Sequence, residues 1–228
     1  MKIYFVRHGH PDYTNDCLTE LGKKQAEAAA ERLKDLGIKR VYSSTKGRAL
    51  ETAEYTARAL GLEVLRCDFM REIGWRSIDG EPIPENGHPW RLSRALAAEG
   101  VPLADPRWQE HEPFSRSMLV ESTRTVSTGL DAWLEGLGYR REGDYYRVIS
   151  ESPVKTVAMF SHGGASAAAM AHLFGIPFPQ FIGLLAIDFT AVTVVSLPEK
   201  PGTLVFPTLV SSDAAHINGL EAELVFDN

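Results

Sequence analysis

The chain has 228 residues, 44% of them hydrophobic and 24% charged, enough to bury a full core as one domain without cross-links or a structural metal. Its net charge of −6 speaks against a nucleic-acid partner, whose phosphates call for a basic face, and its two cysteines, Cys17 and Cys67, provide no disulfide framework. The start is too short and too soon charged for a signal peptide. The longest uncharged stretch, Thr156 to Ile187, is broken by His162, His172, Pro177 and Pro179, so no membrane span and a cytoplasmic location are expected.

The first strand is expected over residues 2–6, an apolar run that breaks abruptly into Arg7, His8, Gly9, His10, Pro11 and Asp12. From Leu18 to Gly37 the apolar positions follow helical spacing, with Thr19 placed to cap the start and Gly37 to stop it. "RVYSS" (Arg40 to Ser44) is a short strand ending in hydroxyls. "GRALETAEYTARALG" is a second helix and "EVLRC" (Glu63 to Cys67) a third strand. Strand, helix, strand, helix, strand implies right-handed crossovers and a largely parallel sheet. Residues 76–120 are rich in Pro, Gly, Trp and Arg, with one helical stretch at "WRLSRALAAEG"; they read as a lid inserted into the sheet domain, extending on a wider reading to 150. A helix follows over 122–137 with Val126, Leu130, Trp133 and Leu137 inward, then a hairpin from Tyr139 to Val148 turning at Glu142-Gly143-Asp144. Thr156 to Phe160 is a buried strand, "SHGGASAAAMAHLFG" turns into a small-residue helix ending at Gly175, and "AVTVVSL" is the last strand. The fold class is therefore α/β, a three-layer α/β/α domain over 1–228 with a mostly parallel central sheet.

Polar residues gather where strands give way to helices: Arg7, His8 and His10 after the first strand, Arg48 in the first turn of the second helix, His162 and its glycines after "MFS". In open α/β sheets ligands bind beyond the carboxyl ends of the strands, where helix N-termini present free N–H groups. Arginines and histidines converging there make a site for an anion, and the guanidinium fork matches a phosphate. A histidine directly after a buried strand is also costly unless it has a partner or a task.

Arg7-His8-Gly9, "LTELGKKQA", "VYSSTKGRALETAE" and "SHGG", in this order, resemble the histidine phosphatase superfamily of metal-independent phosphatases and phosphoglycerate mutases; the tail "SSDAAHI" resembles it more weakly. The resemblance implies that His8 is the nucleophile, forming a phosphohistidine, and that Arg7, Arg48 and His162 clamp the phosphoryl oxygens. It also implies that a glutamate after the third strand, here Glu72, protonates the leaving group. Asn15 corresponds to a phosphate-holding asparagine, in a register one residue longer. His10-Pro11 stands where relatives carry an acidic or amide residue and then a hydroxyl, so His10 inherits no role. The spacing after Glu72 also differs, which keeps Asp79 and Glu81 as substitute acids. His216 would support the site, His88 and His172 are ordinary, and Trp75, Trp90 and Trp108 pack the core or lid, with one of them available to the leaving group.

The function so implied is hydrolysis of a small phosphate monoester, releasing inorganic phosphate, with no metal and no cofactor. Mutase-type transfer is the alternative; it calls for a dense basic insertion, and "IDGEPIPENGHPWRL" is acidic and proline-rich. Arg91, Arg94 and Arg107 are the residues that would meet a second acidic group. A different chemistry, metal-dependent hydrolysis through His8-x-His10 with Asp12, is opposed by the arginine beside His8, and a barrel hydrolase usually needs a longer chain. A non-catalytic phosphate-binding module is opposed by the intact set Arg7, His8, Arg48 and His162.

Overall fold

Strand β1 (Lys2–Arg7) is buried on both faces from Ile3 to Val6, as a central strand covered by helices on either side must be. A two-residue ladder, β2 (Pro11–Asp12) against β3 (Cys17–Leu18), then closes a small loop. Helix α1 (Glu20–Leu33) begins where Thr19 Oγ1 accepts the Gly22 N–H at 3.1 Å, the cap its sequence promised. It ends at Leu33, short of Gly37, because the next residues form a tight turn with Leu36 N–H on Leu33 O and Gly37 at φ 70°. Strand β4 (Arg40–Ser43), helix α2 (Gly47–Leu60) and strand β5 (Val64–Arg66) follow the expected crossover pattern, Gly61 closing α2 in the left-handed region. This computed structural model describes residues 1–184 and 187–220.

The six-stranded sheet has the order β11-β9-β1-β8-β4-β5. Strand β8 (Thr156–Ser161) runs parallel to β1 on one side and β4 on the other, and β4 runs parallel to β5. The sheet is mixed: β9 (Val192–Ser196) pairs antiparallel with β1, and β11 (Thr208–Asp213) pairs antiparallel with β9 through an irregularity between Leu209 and Ser211. Strand β11 escapes sequence reading because all six of its residues are exposed, leaving no apolar alternation to detect.

Between β5 and α4 (Leu119–Glu135) the chain makes 3₁₀ turns and one helix, α3 (Pro89–Ala98). The excursion leaves and rejoins at a neck where Ser77 bridges Ser117, Ile78 N–H meets Arg116 O at 2.9 Å and Met118 N–H meets Arg76 O at 2.8 Å. Its Leu92, Leu96, Trp108 and Phe114 nevertheless share the main core with β1, β8 and α4. Helix α4 starts three residues before the expected 122 because Ser117 Oγ accepts the Leu119 N–H. The hairpin β6 (Tyr139–Glu142) and β7 (Tyr145–Val148) turns at Gly143 as expected, and β10 (Leu204–Val205) joins its edge. Helix α5 (Gly163–Phe174) is buried almost all round, its alanines allowing close approach on every side; α6 (Phe178–Leu184) folds back after it. Among the described residues no single helix is long and apolar enough to cross a membrane.

Backbones crowd where β1 opens into α1. A Cβ on Gly22 would lie 2.1 Å from His10 O, and one on Gly9 2.6 Å from Gly22 O, so both positions need glycine for proximity. Gly22→Ala is expected to destabilise the protein by about 1–3 kcal/mol through overpacking, read as a lower urea midpoint at unchanged slope; an unmoved midpoint would show that the loop yields.

Candidate active site

Three adjacent parallel strands end together. Backbone bonds from His8 N–H to Ser161 O (2.9 Å) and from Ser44 N–H to Phe160 O (2.8 Å) extend the ladder past β1, β8 and β4, placing His8, His162 and Ser44 side by side. The His8 and His162 rings lie edge to face, centroids 5.1 Å apart, and both residues are buried.

The His8 ring is fixed by its neighbour. Nδ1 lies 2.7 Å from Gly9 O, a carbonyl that only accepts, so Nδ1 carries the hydrogen and Nε2 holds a lone pair. Arg48 Nε donates to that lone pair at 3.3 Å. Burial first, then the charges of Arg7 and Arg48, push His8 protonation well below the usual histidine range. Gly9 N–H in turn donates to Thr52 Oγ1, whose hydroxyl donates to Arg48 O, so loop and helix α2 are stitched together.

His162 Nε2 meets Ser44 Oγ at 2.9 Å, and Ser44 Oγ also receives the Lys46 N–H at 3.3 Å. With the hydroxyl proton given to Nε2, the hydrogen of His162 sits on Nδ1, a buried atom with no partner. Arg7 Nε is likewise buried and unpartnered, while Arg7 Nη1 donates to Ile187 O and the guanidinium lies 4.2 Å from the centre of the Phe189 ring. Two buried nitrogens left without partners at one strand edge, Arg7 Nε a donor and His162 Nδ1 a donor in that tautomer, are costly in a folded protein and suit an acceptor-rich ligand.

Glu72 reaches the same edge. Its Oε1 accepts from Ile73 N–H and from Ala165 N–H, both at 3.0 Å, the second in the first turn of α5. The glycine pair of "SHGG" makes this possible: a Cβ on Gly164 would lie 2.7 Å from Glu72 Oε1, and one on Gly163 would lie 3.0 Å from Trp90 and 3.6 Å from Arg7 Nε. Burial raises the Glu72 pKa, with the two amides and Arg48 and Arg7 opposing it.

Asn15, Asp79, Glu81, His10 and His216, also singled out from the sequence, have other partners. Asn15 is exposed and outside the cluster, its amide donating to Asp12 Oδ2 at 2.7 Å. Asp79 is exposed at the neck, bound by Arg116 Nε at 2.8 Å and Ser77 Oγ at 2.5 Å and held as an anion well below the ordinary carboxylate range. Glu81 is exposed on the wall of a cavity. His10 ties the loop to α1, its N–H on Gln25 Oε1 at 2.7 Å and its Nδ1 against Thr19 Oγ1 at 2.9 Å. Among the described residues no three His, Cys, Asp or Glu side chains are placed to share a cation. His216 bonds Thr190 Oγ1 and Arg32, bracing the buried Thr190 at φ 56° beside Phe189.

Residues the sequence did not single out also shape the site: Ser44 and Thr52 by hydrogen bonds, Phe189 as a wall against Arg7, His8 and His10, and Asp16, 2.5 Å from Arg48 Nη1. Only Ser44 left a trace, as a hydroxyl ending a strand.

A doubly covered α/β sheet whose strand ends bring together a nitrogen lone pair on His8, the buried Arg48, the half-buried Arg7 and a second histidine with an unpartnered ring nitrogen is suited to an oxyanion. The chain belongs to the histidine phosphatase superfamily (branch 1), whose family model matches residues 3–208. It is 27% identical over 190 residues to a probable phosphoglycerate mutase, GpmB, of Yersinia pestis, spanning 78% of this chain and 76% of that protein. Among solved structures it resembles the mycobacterial glucosyl-3-phosphoglycerate phosphatase with a TM-score of 0.62 at 22% identity, over 92% of this chain and 96% of that one. A phosphoserine phosphatase of Entamoeba histolytica aligns with a TM-score of 0.61 at 21% identity, over 95% and 98%. At such identities the structural likeness speaks for the fold.

Proposed function

We propose that the protein is a metal-independent phosphomonoester hydrolase working through a phosphohistidine. The observation that carries this reading is the His8 ring: Nδ1 is pinned to Gly9 O, which leaves Nε2 as a lone pair facing Arg48. In the first step Nε2 attacks phosphorus as the ester P–O bond breaks. Arg7, Arg48 and the His162 Nδ1–H take the charge on the non-bridging oxygens, and Glu72 gives its proton to the departing alkoxide. In the second step Glu72 takes a proton from water, the oxygen attacks phosphorus, the N–P bond breaks, and phosphate leaves with His8 restored. Asn15, exposed and with its amide on Asp12, is given no part in this scheme.

The leaving group has a space of its own. A cavity of about 650 Å³ is lined by Trp75, Ile83 and His88 together with Arg76, Arg91, Glu81 and Glu85. The rings of Trp75, His88 and Trp90 follow one another at 5.4 and 5.8 Å from this cavity toward Gly163. Its mixed charge supports hydrolysis over mutase transfer, which needs a uniformly cationic grip on a phosphorylated acid. Turnover of a phosphate-ester panel is expected to persist in excess chelator; loss on chelation with rescue by zinc or manganese would replace this reading with metal-dependent hydrolysis.

A further inference from the structure

The short loop between β2 and β3 carries a carboxylate that the catalytic scheme above does not use. Asp12 closes the loop on itself, Oδ1 accepting from Thr14 N–H at 2.9 Å and from Asn15 N–H at 3.2 Å. The turn delivers Asp16 in the left-handed region at φ 52°, a conformation that aspartate tolerates at some cost. Asp16 then divides its oxygens: Oδ1 on Arg48 Nη1 at 2.5 Å, Oδ2 on Gly47 N–H at 2.9 Å. Helix α2 has no side-chain cap from its own Lys46, so Asp16 serves as that cap from outside the helix. The approach is tight enough that a Cβ on Gly47 would lie 2.1 Å from Asp16 O.

We infer that Asp16 is a positioning residue: by holding Arg48 Nη1 it keeps Arg48 Nε on His8 Nε2 and so aims the nucleophile's lone pair. Arg48 is a long side chain with several rotamers, and its buried guanidinium would otherwise be free to turn. One end is fixed by Asp16, the other meets His8, and the backbone between them is tied to the His8 loop through Thr52 and Gly9 N–H. A carboxylate beside an anion site opposes anion binding. Its bond to Nη1 keeps it on the far fork of the guanidinium, leaving Nε for the reacting side. The charged and titratable groups around His8 are Arg7, Arg48, His10 and His162, so Arg48 is the one whose geometry Asp16 controls directly.

This inference rests on the reading of His8 as the nucleophile, and its test is separable from that reading. In Asp16→Asn an amide oxygen can still accept from Gly47 N–H, so the melting temperature should stay near that of the wild type, whereas Asp16→Ala loses the cap as well. The ¹⁵N spectrum of the resting enzyme, with the His8 signals assigned against His8→Gln, reads the ring without any substrate. In Asp16→Asn the unprotonated Nε2 resonance should move downfield, toward that of a lone pair with no donor. The kcat for any phosphate ester the wild type hydrolyses should fall by about tenfold to a hundredfold, with KM changing little, as for a misaligned reacting group. An unmoved Nε2 resonance, or an unchanged kcat, overturns the proposal. Retained turnover in His8→Gln would instead overturn the nucleophile assignment.

Discussion

Replacing His8 with alanine is expected to lower turnover of a phosphate ester by on the order of 10⁶-fold, the scale seen when a covalent nucleophile is removed. The other lone pairs beside Arg48 among the described residues have closer partners: His162 Nε2 meets Ser44 at 2.9 Å, Glu72 Oε1 holds two backbone amides, and Asp16 is held by Arg48 and Gly47 N–H. Because His8 is buried and bonded to Gly9 O, the variant's melting transition belongs in the same experiment, and His8→Gln offers a bulkier replacement. Wild-type enzyme quenched during turnover of a ³²P-labelled ester should retain label in an acid-labile, base-stable bond, as a phosphoramidate does. A folded alanine variant that still turns over, or label in an acid-stable ester, would sink the assignment.

Glu72→Gln should separate substrates by their leaving groups. An alkyl phosphate expels a poor leaving group and should lose on the order of 10²–10⁴-fold, the usual worth of general acid catalysis. Nitrophenyl phosphate, whose phenolate departs unaided, should lose far less. The pH profile carries the same information. His8 must be neutral, and its lowered pKa places the acid limb of kcat/KM below the ordinary histidine range. Glu72 must be protonated, and its raised pKa places the alkaline limb above the ordinary carboxylate range. The two shifts run toward each other, His8 downward and Glu72 upward, and each favours the form that its role requires. In Glu72→Gln the alkaline limb should vanish. Equal losses on both substrates would make Glu72 a positioning group, and no loss on either would pass the proton to Glu81, since Asp79 is held as an anion by Arg116.

Much of this architecture is legible in the residues because local and tertiary signals agree. Thr19 caps α1, Gly61 and Gly175 end α2 and α5, and the apolar runs of β1 and β8 demand burial on both faces. What stays hidden depends on partners distant in the chain. Nothing near Asp16 announces Arg48, since the pairing rests on a left-handed turn within a two-strand ladder too short to carry a pattern. Phe189 looks like any apolar residue before a strand until Arg7 is found against its ring. The Asn15 correspondence assumes that a loop one residue longer keeps its side chains in register. Here the Asn15 amide is taken by Asp12, and it is Asp16, the next residue, that reaches Arg48.

The place of β8 bears on how the protein is made. It lies between β1 and β4, pairing Lys2 with Thr156 and Arg40 with Val157, so two strands that leave the ribosome early cannot become neighbours of one another. Strand β1 and the inner edge of β4, whose outer edge pairs with β5, must wait unpaired for a segment synthesised long after them, and such distant pairings are slow and prone to aggregation while they remain open. The same insertion brings His162 between His8 and Ser44. The complete site therefore cannot precede near-complete synthesis, and a nascent chain stalled before residue 156 holds His8 and Ser44 without the strand that lies between them.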